Sequence, residues 1–220
     1  MAPSNISVQR VDKPTEALVE EAVQVFAKLM PQDPAAISFT GGNIALIPDL
    51  ARAMIRPIAF IAGDMYTATD ENNDLVGFTL WVPPGEELFA TEEQRQLGFY
   101  DFLNRLSDEA KAYYPQLGKD FPRVVDELTG MTSTQSNTYW CNFAFVGADH
   151  QGKGVAKAMF ELAYEKAKER GETMALSTTN IRNVAIYQRL GFTLKGFRTM
   201  PSPWGDWPAW IFVKEIDHSS

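Results

Sequence analysis

Apolar residues recur along the chain with two periods, and each change of period marks a new element. Ile6, Val8 and Val11 outline a short first strand, ended by Asp12-Lys13-Pro14-Thr15. Thr15 and Glu16 then open an amphipathic stretch in which Leu18, Ala22, Val25, Phe26 and Leu29 share one helical face. It stops at Met30-Pro31, because the residue before a proline disfavours helical angles. Residues 31–43 read as loop. Pro48 suits a first helical position, and Leu50, Met54, Ile58 and Ile61 carry a helix to a glycine cap at Gly63, with a kink expected at Pro57. Met65–Thr69 and Leu75–Val82 read as two strands, and Asp70-Glu71-Asn72-Asn73-Asp74 between them is hairpin chemistry. Residues 83–137 begin with Pro83-Pro84-Gly85, hold helical patches near 92–106 and 121–130, and end in the polar run Thr132–Asn137. They read as a mostly helical insert.

The second half is sharper. Thr138–Val146 is a strand rich in aromatic and β-branched residues. Gly152–Arg170 is a helix whose apolar face holds Val155, Ala156, Met159, Phe160, Ala163 and Ala167, with Gly171 as its cap. Thr173–Thr178 is a strand and Ile181–Leu190 a helix; Phe192–Met200 and Ala209–Ile216 are strands around a loop of Pro, Trp and Gly. The order predicts a mixed α/β chain with hairpins and one strand–helix–strand crossover, organised as a single domain over residues 1–220.

Composition narrows the function. A chain of 220 residues can bury a proper core without staples. Its 20 basic against 28 acidic residues give a net charge of −8, which weighs against nucleic acid as a partner. One cysteine excludes an internal disulfide framework, and two histidines, His150 and His218, leave little for a metal site. The opening MAPSNISVQR lacks the apolar stretch of a secretory signal, and no segment reaches the ~18 apolar residues of a membrane span. The expectation is a cytoplasmic protein without a membrane partner.

The chemistry concentrates in Val146-Gly147-Ala148-Asp149-His150-Gln151-Gly152-Lys153-Gly154-Val155-Ala156, between a strand and a helix. Gly152 and Gly154 remove side chains where the backbone turns into the helix, so its first N–H groups point outward with the positive dipole end behind them. That is an anion site suited to a pyrophosphate, with Lys153, Lys157 and Arg182 as nearby cations. The dinucleotide fingerprint fails at its third glycine, where Lys157 stands. The phosphate-loop pattern is nearer, through Gly147, Gly152 and Lys153, but Gly154 has no hydroxyl for magnesium. A glycine turn that merely permits tight packing is the third option.

Gln151-x-x-Gly154-x-Ala156 is similar to the coenzyme A pyrophosphate motif of the GNAT superfamily of N-acetyltransferases. A second segment supports the resemblance: Asn183-Val184-Ala185-Ile186-Tyr187-Gln188-Arg189-Leu190-Gly191-Phe192, against the family's N-x-x-A-x-x-x-Y-x-x-x-G-F. Counted from Asn183 the tyrosine comes after four residues and Ala185 after two rather than three, while the aromatic, Gly191 and Phe192 keep their places. The exit Trp81-Val82-Pro83-Pro84 and the helical insert make the chain look most like the puromycin N-acetyltransferase branch. The resemblance implies a central, mostly antiparallel mixed sheet of about seven strands flanked by helices, with the insert at 83–137 between the third and fourth strands.

It also implies roles. Backbone groups of Ala144, Phe145 and Val146 hold the pantetheine arm of acetyl-CoA, the acyl donor, with no metal required. Main-chain amides of Gln151, Gly152, Lys153, Gly154, Val155 and Ala156 hold its pyrophosphate. Asn183 fixes the pantetheine near the thiol, and Tyr187 faces the thioester sulfur as the catalytic residue. Ala148 stands where the family usually has proline. The implied activity is acetyl transfer to a primary amine of a small molecule, by direct attack in a ternary complex. An acyl-CoA-binding module without catalysis and a phosphate-loop nucleotide hydrolase are the rivals. Cys141 lacks a suitably placed histidine and reads as inert packing, and His150 as a solvent-facing loop residue. Trp204, Trp207 and Trp210 could line an acceptor site or simply pack. No general base is evident: Thr138–Val146 holds no acid, only Asn142 near its middle, and Glu86, Glu87 and Asp206 qualify by loop position alone.

Overall fold

In the computed structural model, which describes residues 3–216, seven strands form one sheet in the order β1-β2-β3-β4-β5-β7-β6. They are β1 (Ser7–Val11), β2 (Asp64–Thr69), β3 (Leu75–Val82), β4 (Tyr139–Val146), β5 (Met174–Thr178), β6 (Thr193–Met200) and β7 (Trp207–Lys214). Every neighbouring pair is antiparallel except β4 with β5. Helices α1 (Glu16–Leu29), α2 (Pro34–Phe39) and α3 (Ile47–Pro57) precede β2. The insert between β3 and β4 holds α4 (Glu92–Gln96), α5 (Phe99–Arg105), α6 (Asp108–Thr129) and α7 (Thr134–Asn137). Helix α8 (Val155–Arg170) crosses from β4 to β5, and α9 (Val184–Arg189) leads into β6. His218 lies outside the described residues.

Three departures from the pattern have local causes. Residues 31–43 are not all loop: Asp33 accepts from the amides of Ala35 and Ala36 at 3.0 Å each, and Pro34 takes the first helical position of α2. After Pro57, α3 runs into a π-helical turn, Ile58–Ala62, closed by the Gly63 N–H on the Ile58 carbonyl at 2.8 Å. Gly63 is extended there rather than a left-handed cap. Helix α6 is one element of 22 residues that continues through Pro115 and Pro122, where the pattern marks only a helical patch near 121–130. Each proline removes one helical hydrogen bond. Burial of Ala110, Val124 and Val125, the Ser107 cap and the left-handed Gly130 at the far end offset that loss.

Apolar clusters lie on both faces of the sheet. One gathers Phe26, Leu50, Ile55, Phe78 and Leu80 under α1 and α3, and another Met159, Phe160, Ala163, Leu176 and Phe212 under α8. A third joins Val125 of α6 to Trp207 and Ile211 of β7.

Strand β4 decides the site. Its register against β3 runs Leu80↔Phe143 and then Trp81↔Cys141, so Asn142 is an extra, bulged residue. The bulge switches which face each side chain takes. Tyr139 and Cys141 share the α8 face with Ala144 and Val146, whereas Phe143 and Phe145 pack toward α1. Pairing of β4 with β5 covers Tyr139–Cys141 only, and from Asn142 onward the two strands part.

The paired half of β4 is anchored by charge. Buried Asp64 accepts from Arg10 Nε at 3.1 Å, from the Tyr139 hydroxyl at 2.8 Å and from Lys166 of α8. Burial pushes the Asp64 carboxyl up, but the hydrogen bonds from Lys166 and Tyr139 and the charges of Lys166 and Arg10 outweigh it and hold it below the usual carboxylate range. A carboxyl depressed on folding contributes stability above its unfolded pKa and loses it as pH falls through the folded one.

Candidate active site

The parting of β4 and β5 opens a cavity of about 2290 Å³. Pockets for one drug-sized ligand are roughly 300–1,000 Å³, so this space exceeds what one such ligand needs. One end runs to the turn before α8 and to α9; the other runs under α1, α2, α3, α5 and α6.

At the first end, Gly152 and Gly154 have φ of +72° and +82°, a left-handed region that L side chains rarely adopt. Helix α8 starts at Val155 with no side-chain cap, so the N–H groups of its first turn lack intrahelical partners. Gln151, Gly152, Gly154, Val155 and Ala156 line the cavity, while Lys153 sits in the same turn without lining it. Gln151 Nε2 donates to the Val146 carbonyl at 2.9 Å and ties the turn to β4. His150, Lys157, Arg182 and Arg189 bring basic groups to this end.

Ala144, Phe145 and Val146 also line the cavity. The Gly147 N–H bonds the Val76 carbonyl at 2.8 Å, and antiparallel alternation then turns the backbone of Ala144 and Val146 to the open side and that of Phe145 to β3. Phe145 therefore meets the cavity with its ring.

Tyr187 is the buried aromatic of α9, with ring centroids 5.9 Å from Phe160, 6.2 Å from Phe192 and 5.5 Å from Phe212. It lines the cavity, and among the described residues no hydrogen bond acts on its hydroxyl. Burial, and then the neighbouring Cys141, push its pKa above the ordinary tyrosine value, so the hydroxyl keeps its proton. Cys141 is buried and donates its thiol to the Phe143 carbonyl at 3.3 Å. Burial pushes that thiol well above its ordinary pKa and leaves it a poor nucleophile. Cys141→Ala is expected to keep kcat within about threefold of wild type, checked by steady-state rates on folded protein; loss of most activity would give the thiol a role.

The asparagine of the α9 segment has two candidates. Asn183 lines the cavity but commits its Nδ2 to Thr178 Oγ1 at 3.1 Å. Asn180 lines it too, and it stands seven residues before Tyr187. That is the asparagine-to-tyrosine spacing of N-x-x-A-x-x-x-Y, so Asn180 takes the pattern's asparagine and Asn183 its alanine position.

Glu86, Glu87 and Asp206 are exposed and do not line the cavity; Asp206 accepts from the Ser202 amide at 3.1 Å and closes a turn. Trp207 and Trp210 line it, whereas Trp204 packs edge-on against Tyr113. Phe89, Phe99, Phe102 and Tyr114 of the insert reach the wall. Two lining residues went unassigned in the sequence. Asp33 sits between α1 and α2, and Asn142 has a buried Oδ1 without a hydrogen-bond partner among the described residues. Among those residues no group of three or more His, Cys, Asp or Glu is placed to hold a metal, and no helix is long and apolar enough to cross a membrane.

The fold has solved counterparts. Histone acetyltransferase HPA2 and related acetyltransferase from Corynebacterium glutamicum is 19% identical with a TM-score of 0.63, over 100% of this chain and 99% of that one. Arylalkylamine N-acetyltransferase 2 from Aedes aegypti is 16% identical with a TM-score of 0.61, over 97% and 100%. An agmatine N-acetyltransferase is 11% identical with a TM-score of 0.60, again over 97% and 100%. At these identities the likeness is one of fold. The family model described as acetyltransferase (GNAT) family matches residues 51–192, a stretch that contains β2 to β5, the split, the glycine turn and Tyr187. The chain belongs to the acetyltransferase (GNAT) family.

Proposed function

We propose that the protein transfers the acetyl group of acetyl-CoA to a primary amine of a small molecule, by direct attack in a ternary complex. The observation that carries this reading is the coincidence, in one cavity, of unpaired β4 backbone, the uncapped start of α8 and the free hydroxyl of Tyr187. Acetyl-CoA supplies an activated acyl thioester. The amides from Gln151 to Ala156 bind its pyrophosphate, including that of Lys153, whose side chain stays outside. Ala144 and Val146 offer backbone groups to the pantetheine arm, Phe145 offers its ring, and Asn180 lies beside them with Asn183 as the wall. The ammonium form of the acceptor first gives a proton to solvent water. The neutral amine nitrogen then bonds to the acetyl carbon, the carbon–sulfur bond breaks, the second proton of the nitrogen passes to water, and water protonates the departing thiolate. Tyr187 donates a hydrogen bond to the sulfur as negative charge gathers there.

Two solved structures of the same fold, an arylalkylamine N-acetyltransferase and an agmatine N-acetyltransferase, support the choice of a small-amine acceptor, as does the apolar lining of the far end. The resemblance to the puromycin N-acetyltransferase branch rests on Trp81-Val82-Pro83-Pro84 and on the helices α4 to α7.

Acetyl-CoA is expected to stabilise the protein by about 2.7 kcal/mol at a hundredfold excess over its Kd, since it binds only the folded state. Thermal shift with acetyl-CoA against magnesium-ATP reads this directly. A shift with ATP alone would sink the proposal. A shift with acetyl-CoA but no thiol release across an amine panel would leave an acyl-CoA-binding module.

A further inference from the structure

We infer that the acceptor is a primary amine on an uncharged, apolar body, and that Asp33 supplies the counter-charge that selects its ammonium group. The inference rests on the proposed acetyl transfer and concerns the side of the same cavity where the start of α2 meets the end of β5.

Among the described residues Asp33 is the only carboxylate that lines the cavity. In a chain with 28 acidic residues, this leaves the interior almost stripped of negative charge, apart from one placed group. The basic lining residues His150, Lys157, Arg182 and Arg189 all belong to the glycine turn, α8 or the α9 segment. At the far end the one cation is Lys111, exposed at the rim and 3.9 Å from Asp108. The cavity is thus electrically divided: basic where a pyrophosphate fits, acidic at one point beyond it.

A carboxylate accepts at about four lone-pair sites. Oδ1 of Asp33 takes the Ala35 and Ala36 amides at 3.0 Å, and Oδ2 takes the Thr179 hydroxyl. One site on Oδ2 is left for a ligand N–H. Thr179 directly follows β5, so the bond to Asp33 pins the carboxylate to the edge of the split.

The surroundings define the rest of the ligand. Phe26, Met30, Met54, Phe99, Tyr114 and Phe143 line this end. The polar tip of Tyr114 is already used, since its hydroxyl donates to the Phe39 carbonyl at 2.7 Å. An apolar body gains by burial there, whereas a second charge would be desolvated without a partner.

Asp33 could instead be only the cap of α2, and the test separates the two roles. Asn is as good a cap as Asp and keeps a side-chain oxygen for the Ala35 and Ala36 amides, so Asp33→Asn removes charge and leaves the cap. Calorimetric titration of the coenzyme A complex with 2-phenylethylamine, its neutral analogue 2-phenylethanol and 1,4-diaminobutane reads binding without any chemistry. In wild type, 2-phenylethylamine is expected to bind at least tenfold more tightly than either competitor. Asp33→Asn should weaken it 10- to 100-fold, the worth of a charged hydrogen bond, and bring it level with the alcohol. Its Tm and coenzyme A affinity should not change. In turnover, KM for the amine should rise with kcat little altered, and Asp33→Glu should restore part of the affinity. Equal binding of amine and alcohol by wild type, or unchanged amine affinity in folded Asp33→Asn, overturns the inference. Amine binding that depends on Asp33 without thiol release would refute the acetyl transfer and leave the site standing.

Discussion

Gly154→Val is expected to leave the protein folded and to weaken acetyl-CoA binding by 100-fold or more. At φ +82° a β-branched residue is strained by about 1–3 kcal/mol, so the turn must shift toward an ordinary backbone conformation. That shift re-aims the amides of Val155 and Ala156, which are useful only while they converge on one anion. Hydrogen bonds to a charged group contribute about 1.5–3 kcal/mol each, and losing one or two of them reaches a hundredfold. The core under α8, from Val155 to Ala167, is built by side chains beyond the turn, so a large drop in Tm is not expected. Gly154→Asn separates strain from crowding, because asparagine tolerates the left-handed region while still adding a side chain. Equilibrium titration with acetyl-CoA, with circular dichroism as the check on folding, measures both variants. Wild-type affinity in folded Gly154→Val would reduce the glycine turn to a packing device.

Much of this end of the cavity was legible because it is local. A strand, a two-glycine turn and a helix follow one another in the sequence, and the chemistry of a helix N-terminus needs no distant partner. The same holds for the α9 segment, where Asn183 lies four residues before Tyr187 and counting seven residues back reaches Asn180.

The far end was hidden because its defining contacts are long-range. Asp33-Pro34 looks like a turn, and the α2 helix it caps is only six residues long. The bond of Asp33 to Thr179 spans 146 residues, and no local pattern encodes it. In the sequence Asn142 is only the lone polar residue mid-strand. Its place in a bulge depends on the register against β3, and its exposure to the cavity depends on where β5 stops pairing. The first half of α6, with Pro115 and Pro122 inside the helix, is not legible for a related reason. Local rules forbid a helix interior there, and burial against β6 and β7 overrides them.

Tyr187→Phe is expected to lower kcat by about 100-fold while leaving acetyl-CoA affinity within about twofold. The hydroxyl acts on charge that appears at sulfur only during the reaction, so its loss should not touch ground-state binding. The ring, which makes the contacts with Phe160, Phe192 and Phe212, is kept in the variant. A thiol near 8.5 against an ordinary tyrosine near 10 already makes full proton transfer uphill by about 2 kcal/mol. Burial raises the Tyr187 value further and widens that gap. The hydroxyl therefore works as a hydrogen-bond donor to the departing sulfur, and water can protonate the free thiolate afterward. Such a donor belongs at the lower end of the ~10²–10⁴ range of acid–base groups. The same burial predicts that activity does not fall at alkaline pH through ionisation of Tyr187, since its pKa lies above the ordinary tyrosine range. Rates of thiol release with one amine, and titrations with acetyl-CoA, should be compared for wild type and variant at matched folding. An unchanged kcat would return Tyr187 to packing, and a parallel loss of affinity would make it a binding residue instead.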